Sequence, residues 1–340
     1  MGCTVGNGNR CDPERRRATI IGRAVEACHP HGVKETEETK ETKETEDRQE
    51  KASGITYTAA MSVRRLIINA DDLGVNAQRS HGIFQCAEFG VVTSASLLPN
   101  GADSDAAARR AREKKLPAGL HLNLTEGCPL AAAADVPGLT ETNGDFLGRD
   151  RLLAALAQDA VPRTSVEREV RAQIEWCFDA YGAPTHVDGH HHIHIEPLVA
   201  DVLLPLMERY GIRCVRIPSE LPLPPFGYEI AEQQLRHVAA LNERAATARE
   251  RYIGQGCITT DHFRGSTLAG NASAKNLRHI LARLPDGTTE LMVHPGSPIT
   301  AGTTYDVDPQ RQTELRMLLD PTVHKELAAR KITLCSWGEL

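Results

Sequence analysis

No CxxC pair occurs anywhere in the 340 residues; the nine cysteines stand apart at positions 3, 11, 28, 86, 128, 177, 214, 257 and 335. That excludes a zinc ribbon or finger, and an odd, dispersed set fits reduced thiols better than a disulfide framework. A basic excess is missing too: 39 Lys and Arg against 45 Asp and Glu leave a net charge of −6. Nucleic-acid binders usually carry a clustered basic face, so no nucleic-acid partner is expected. No apolar run approaches the roughly 18 residues of a membrane span, and the first residues lack the apolar stretch of a secretory signal. A cytoplasmic protein with no membrane partner is the expectation. If a metal is bound, histidine and carboxylate must supply the ligands.

With 41% apolar and 25% charged residues, the chain can bury a core and still dissolve. Residues 1–60 form an exception. Between Lys34 and Lys51 the chain repeats Glu-Thr-Lys-like triplets with no apolar period. Such a segment cannot bury enough surface to offset its ordering entropy, so a low-complexity, disordered extension is expected there. Gly2 and Cys3 suggest a lipid anchor, but Gly6 stands where that motif wants Ser or Thr. Met61 directly precedes the first structured run and is a candidate start.

From Arg64 onward short apolar runs alternate with helical ones. Strands are predicted at Leu66–Ile68, Val91–Leu98, Ala118–Thr125, His186–His194, Cys214–Ile217, Glu290–Val293 and Ile332–Cys335. Helices are predicted at Gln78–Phe89, Ser104–Lys114, Ser165–Tyr181, Leu198–Tyr210, Pro309–Leu319 and Pro321–Arg330. In Ser165–Tyr181, for instance, Val166, Val170, Ile174 and Cys177 recur at helical spacing. This alternation implies an α/β domain over 61–340 with a parallel sheet and crossover helices. Periodicity leaves open whether the sheet is open or closed into a barrel.

Four predicted strands end in polar, titratable residues. They are Asn69-Ala70-Asp71-Asp72, His121-Leu122-Asn123-Leu124-Thr125, Asp188-Gly189-His190-His191-His192-Ile193-His194, and Val293 running into His294-Pro295-Gly296. In barrels and doubly wound sheets alike, sites lie at the C-terminal strand ends, so these four converge on one face. Alternation puts His121, Asn123 and Thr125 on one side of their strand, and His186, Asp188, His190, His192 and His194 on one side of theirs. Five histidines within nine residues point to a transition metal, although spacing alone does not say which of them binds. A solvent-facing polar strand is the plainer alternative. Asp71 and Asp72, on opposite faces of a strand, can divide metal binding from proton transfer; an ordinary Asx turn closed by Gly74 would explain them too.

Together these segments resemble the YdjC-like carbohydrate deacetylases, a family that includes enzymes acting on chitooligosaccharides. The resemblance rests on Asn69–Gly74, Gly119–Thr125, Pro184–His194 and Val293–Gly296, and it covers about Val63 to the C-terminus. It implies a single-domain, distorted (β/α) barrel and a hydrolase that removes the N-acetyl group of amino sugars or N-acetylated oligosaccharides. One divalent metal ion is implied, Mg²⁺ by the resemblance, with Zn²⁺ or Co²⁺ favoured by two imidazole donors. By the same resemblance Asp72, His121 and His190 are its ligands, Asp71 is the general base and His294 the general acid. Asp188, Asn123 and His192 are expected to support a ligand from behind or to touch substrate. Usual members carry Phe where this chain has Leu73, a change expected near the sugar.

The expected partner is an N-acetylated saccharide, with a homodimer left open. Two rival readings remain. A metal-dependent phosphoesterase would also use Asp and His at strand ends, but commonly with two metals and more carboxylates. A non-catalytic sugar- or metal-binding module would have no use for Asp71.

Overall fold

The computed structural model describes residues 63–221, 228–299 and 307–340. The expected extension over 1–60 lies outside them. The framework starts from β1 (Arg64–Leu73), which is buried throughout from Leu66 to Leu73. A strand covered on both sides can be apolar without alternation, which is why Leu66-Ile67-Ile68 reads as a run. Its neighbours are β2 (Ser94–Leu97), β3 (Ala118–Leu122), β4 (Val187–Gly189), β5 (His262–Arg264), β6 (Gly287–Val293) and β7 (Ile332–Leu334). They pair in the order β4-β3-β2-β1-β6-β5, with β7 joining the start of β1, and every pairing is parallel. Parallel bridges Val187↔Val215 and Cys214↔Ile258 carry the ladder from β4 towards the chain that leads into β5. The result is the expected barrel-like parallel sheet.

Helices α1 (Ala77–Phe89), α2 (Ser104–Lys114), α3 (Arg149–Ala157), α4 (Arg163–Ala180), α5 (Pro197–Tyr210), α6 (Glu232–Gly254), α7 (Ala274–Leu281), α8 (Gln310–Leu319) and α9 (Pro321–Ala329) accompany the strands. Outward residues of the strands build two cores. Leu66, Ile68 and Ala70 of β1 join Leu291 and Val293 of β6, Ile83 of α1 and Leu277 of α7 in one. Leu120 and Leu122 of β3 join Val166, Val170 and Ile174 of α4 and Leu241 of α6 in the other. Burying each such side chain is worth about 1.5–3 kcal/mol, so these cores hold the sheet's curvature. Inside the barrel, Ile67, Cys214, Cys335 and Trp337 form a small apolar cluster. From Ile67 onward the inward positions of β1 are polar: Asn69, then Asp71. Cys86, Cys177, Cys214, Cys257 and Cys335 are free thiols, as the dispersed spacing predicts; Cys128 is disulfide-bonded, which it does not.

Three predicted strands differ from the chain's course: Cys214–Ile217 is reduced to isolated bridges at Cys214 and Val215, and two others end early. The His186–His194 strand stops after Gly189, and His190–Ile195 turns as a 3-10 segment in which His191 and His192 adopt left-handed φ of 54° and 57°. The turn folds back so tightly that a Cβ on Gly189 would stand 2.8 Å from Nδ1 of His194. Glycine is what allows that approach. Likewise β3 ends at Leu122 rather than Thr125, because the Asn123 side chain closes an Asx turn onto the backbone N–H groups of Thr125 and Glu126.

Candidate active site

The end of β1 brings two adjacent carboxylates to the same place. Simple alternation puts Asp71 and Asp72 on opposite faces, but the pairing with β2 shifts register between Ala70 and Leu73, and Asp72 has φ 66°. This bulge swings Asp72 back towards the face that Asp71 already occupies. Both aspartates are thereby neighbours of His121, each forming a donor group with it.

Asp72 is buried and accepts from Arg79 Nη1 at 3.0 Å. Arg79 sits in the first turn of α1, where Asn76 caps the helix by accepting from the Arg79 backbone N–H. The other oxygen of Asp72 lies 3.3 Å from His121 Nε2 and 3.1 Å from His190 Nδ1. His121 Nδ1 is 2.7 Å from Asp188 Oδ1. An ionised carboxylate only accepts, so Nδ1 carries a proton, and Nε2 is the nitrogen that faces Asp72. Asp188 therefore holds His121 from behind, across the β3–β4 register that pairs these two residues. Alternation within the His-rich segment associates Asp188 with His190; the turn after Gly189 takes His190 elsewhere.

Arg216 stands at the centre of the buried charges. It holds Asp71 through two bonds of 2.6 and 2.7 Å, reaches Asp188 at 2.9 Å and Glu290 at 2.7 Å. Ser96 adds a 2.7 Å donation to Asp188, and Asn69 a 2.8 Å donation to Asp71. His294, at the end of β6, brings Nε2 to 3.9 Å from Asp71 Oδ2. Asp71, His121, His190, His192 and His294 all line a cavity of about 370 Å³, a size suited to a small ligand.

The charges are tuned by these contacts. Burial works against the Asp72 anion, yet hydrogen bonds from His121 and His190 and the charge of Arg79 hold it well below the usual carboxylate range. Burial also opposes a charged His121, but Asp188, Asp71 and Asp72 outweigh it and push that imidazole up to about 10. His190 is raised in the same way, burial being overcome by Asp72 and Glu126. His294 goes the other way: burial, helped by Arg311 and Arg79 against the pull of Asp72, keeps it well below 6.5. Burial and Arg216 do the same to His192.

The donors of Asp72, His121 and His190 lie within 4.8 Å of one another. Two imidazole nitrogens converge on one carboxylate oxygen at spacings of 3.1 and 3.3 Å. Metal bonds of about 2.0–2.2 Å place neighbouring ligands roughly that far apart, so the residues fit a divalent cation. Three protein ligands leave further positions open, the pattern of a catalytic site rather than a structural one.

The family described as YdjC-like protein matches residues 65–329. The chain belongs to this family. A carbohydrate deacetylase of Homo sapiens is 36% identical over 295 residues, covering 81% of this chain and 91% of its own. One from Geobacillus stearothermophilus is 34% identical over 281 residues, covering 81% and 98%. The fold is also that of a crystal structure from Enterococcus faecalis, named only as a candidate cellobiose-phosphate cleavage protein. It has a TM-score of 0.66, 24% identity, and covers 82% of this chain and 99% of that one.

Within this YdjC-like chain, Asp71, Asp72, His121, His190 and His294 come together. Asn123 does not. Its amide oxygen accepts from Thr125 and Glu126 while its nitrogen donates to Asn100 at 2.9 Å, so it fastens a loop instead of facing the cavity. His186 stacks on Trp337 at 4.7 Å, and His194 bonds the Arg216 carbonyl at 2.9 Å; both support the interior. Leu73 packs in the helix-facing core among Ile83 and Leu97, away from the cavity lining, so the departure from Phe does not touch the pocket. Sequence reasoning missed Arg216, Arg79 and Glu126. Arg216 was signalled by alternation, since Val215 and Ile217 point outward and leave it facing in.

Proposed function

We propose that this chain hydrolyses the N-acetyl group of amino sugars or N-acetylated oligosaccharides, using one divalent cation held by Asp72, His121 and His190. The observation that carries the reading is the convergence of those donors beside a cavity that Asp71 and His294 also line. The cation would supply Lewis acidity, polarising the acetyl carbonyl and acidifying water next to it. Two imidazoles and a carboxylate suit zinc or cobalt, and we place one of these there ahead of the magnesium that the family resemblance implies.

Asp71 takes the proton of the attacking water as the new C–O bond forms. Arg216 grips both of its oxygens, so the base is oriented before substrate arrives. Breaking the C–N bond requires that proton on the departing nitrogen. His294 starts neutral and close to Asp71, so it receives the proton and delivers it to the amine, leaving acetate and a free amino sugar. The expected general acid thus works as a relay, because a cationic His294 would have no capacity to accept. Asp188 holds the Nδ1 proton of His121, so Nε2 is the nitrogen that would bind the cation. Among the described residues five of six cysteines are free thiols, and on that balance, with Cys128 the exception, we place the protein in a reducing, cytoplasmic setting.

The test is acetate release from N-acetylated chitooligosaccharides, run beside a generic phosphoester. We expect acetate release that chelator abolishes and that zinc or cobalt restores better than magnesium. Phosphoester turnover without acetate release would sink the reading.

A further inference from the structure

Glu126, His190 and His191 form a second donor group at the same cavity, and Glu126 and His191 have no part in the chemistry above. Glu126 Oε2 lies 3.3 Å from His190 Nε2, and Oε1 lies 3.7 Å from His191 Nε2. The three donors fall within 4.8 Å of one another. A tetrahedral ion with bonds of about 2.0–2.1 Å sets its ligands roughly 3.4 Å apart, so little rearrangement is needed.

The loop that carries Glu126 is built rather than loose. Asn123 Oδ1 accepts the backbone N–H groups of Thr125 and Glu126, and its Nδ2 donates to Asn100 and to the Glu126 carbonyl. The same oxygen accepts the Thr125 hydroxyl at 3.0 Å. With its proton committed there, Thr125 Oγ1 accepts from His191 Nδ1, also 3.0 Å away. Nε2 of His191 then presents its lone pair to the Glu126 carboxylate. Two acceptors held face to face make a place for a cation. Glu126 is about half exposed, so an ion can reach it from solvent.

We propose that Glu126, His191 and the Nε2 of His190 form a second, weaker site for a transition-metal cation, which shares His190 with the ion at Asp72 and His121 and inhibits the enzyme when filled. The inference rests on His190 being a ligand of that first ion. Filling the second site releases the His190 Nε2 proton to solvent and leaves the ring bridging two cations.

The experiment is a Co²⁺ titration of the full chain, read by visible absorption and by metal analysis after dialysis. We expect a first equivalent and then a weaker second one that shifts the absorption bands of the first, because the two share an imidazole. His191→Asn suits the positive φ of 54° at that position and should keep the first equivalent while weakening the second at least about tenfold. Glu126→Gln should act in the same direction, and inhibition by excess Zn²⁺ should ease in both. Asp72→Asn should lose the first equivalent; retention there overturns the first-site reading and with it the sharing of His190. A single equivalent in the parent chain at every concentration, or a second of unchanged affinity in His191→Asn, overturns the proposal and leaves Glu126 as a brace for His190.

Discussion

Replacing Arg216 with Met removes a cation that touches Asp71, Asp188 and Glu290 together, while keeping an apolar side chain of similar reach. All four groups are buried, so the stranded carboxylates cannot recover their solvation. Removing one partner of a buried ion pair costs about 3–5 kcal/mol. Bonds from Asn69 and Ser96 remain on Asp71 and Asp188, which keeps the expectation inside that range rather than at a multiple of it. For a domain of this size the melting temperature should fall by roughly 6–20 °C. The sign of the pH dependence follows from Asp188. Burial works to raise its pKa, but Arg216 and His121 hold it well below 3.8, so its contribution is present above the unfolded value and lost as pH falls through the folded one. Without Arg216 the deficit should be full at pH 7 and narrow below about pH 4, where the carboxylates of both states take protons. Adding Glu290→Gln should recover part of the loss by removing one stranded charge. Thermal and urea unfolding at the two pH values decide the matter. A loss under about 1 kcal/mol at pH 7, or a deficit that grows in acid, refutes the reasoning.

His194 is fully buried and held near pKa 4 rather than 6.5, chiefly by burial, so the unfolded chain protonates first as pH falls. Stability should therefore drop between pH 6.5 and 4, by about 3 kcal/mol from this residue, and His194→Gln should flatten that slope in urea titrations. Asp188→Asn should weaken divalent-metal affinity about 10–100-fold by loosening the His121 ring, as read by equilibrium dialysis; unchanged affinity would remove its orienting role.

Much of the frame was legible because its signals are local. Leu66-Ile67-Ile68 could only be a strand covered on both faces, and Val166, Val170, Ile174 and Cys177 could only be one side of a helix; both are fully buried. Strand ends bearing Asp71, His121, His190 and His294 met because parallel strands place their C-termini on one face. What escaped were departures from regular geometry. A bulge turned Asp72, and two left-handed histidines broke the alternation after Gly189, sending His190, His192 and His194 to different neighbours. Helix α6 was overlooked although Val238, Leu241, Ala245, Ala248 and Tyr252 mark its buried side, since small alanines and many charges dilute the stripe. Arg216 lies within the predicted strand Cys214–Ile217, where no nearby residue reveals its partners. A buried guanidinium acquires meaning only from carboxylates that lie 145 and 74 residues away in the chain.

The central claim is that Asp72 binds the metal and Asp71 moves the proton. Metal content and kcat measured together on Asp71→Asn and Asp72→Asn test it most directly. Asp72→Asn should lose its metal, because a neutral amide is a poorer donor facing His121 and His190. Asp71→Asn should keep the metal and lose about 10²–10⁴-fold in kcat, the usual worth of a general base. Metal lost from Asp71→Asn but kept in Asp72→Asn, or near-normal turnover in Asp71→Asn, would contradict the account.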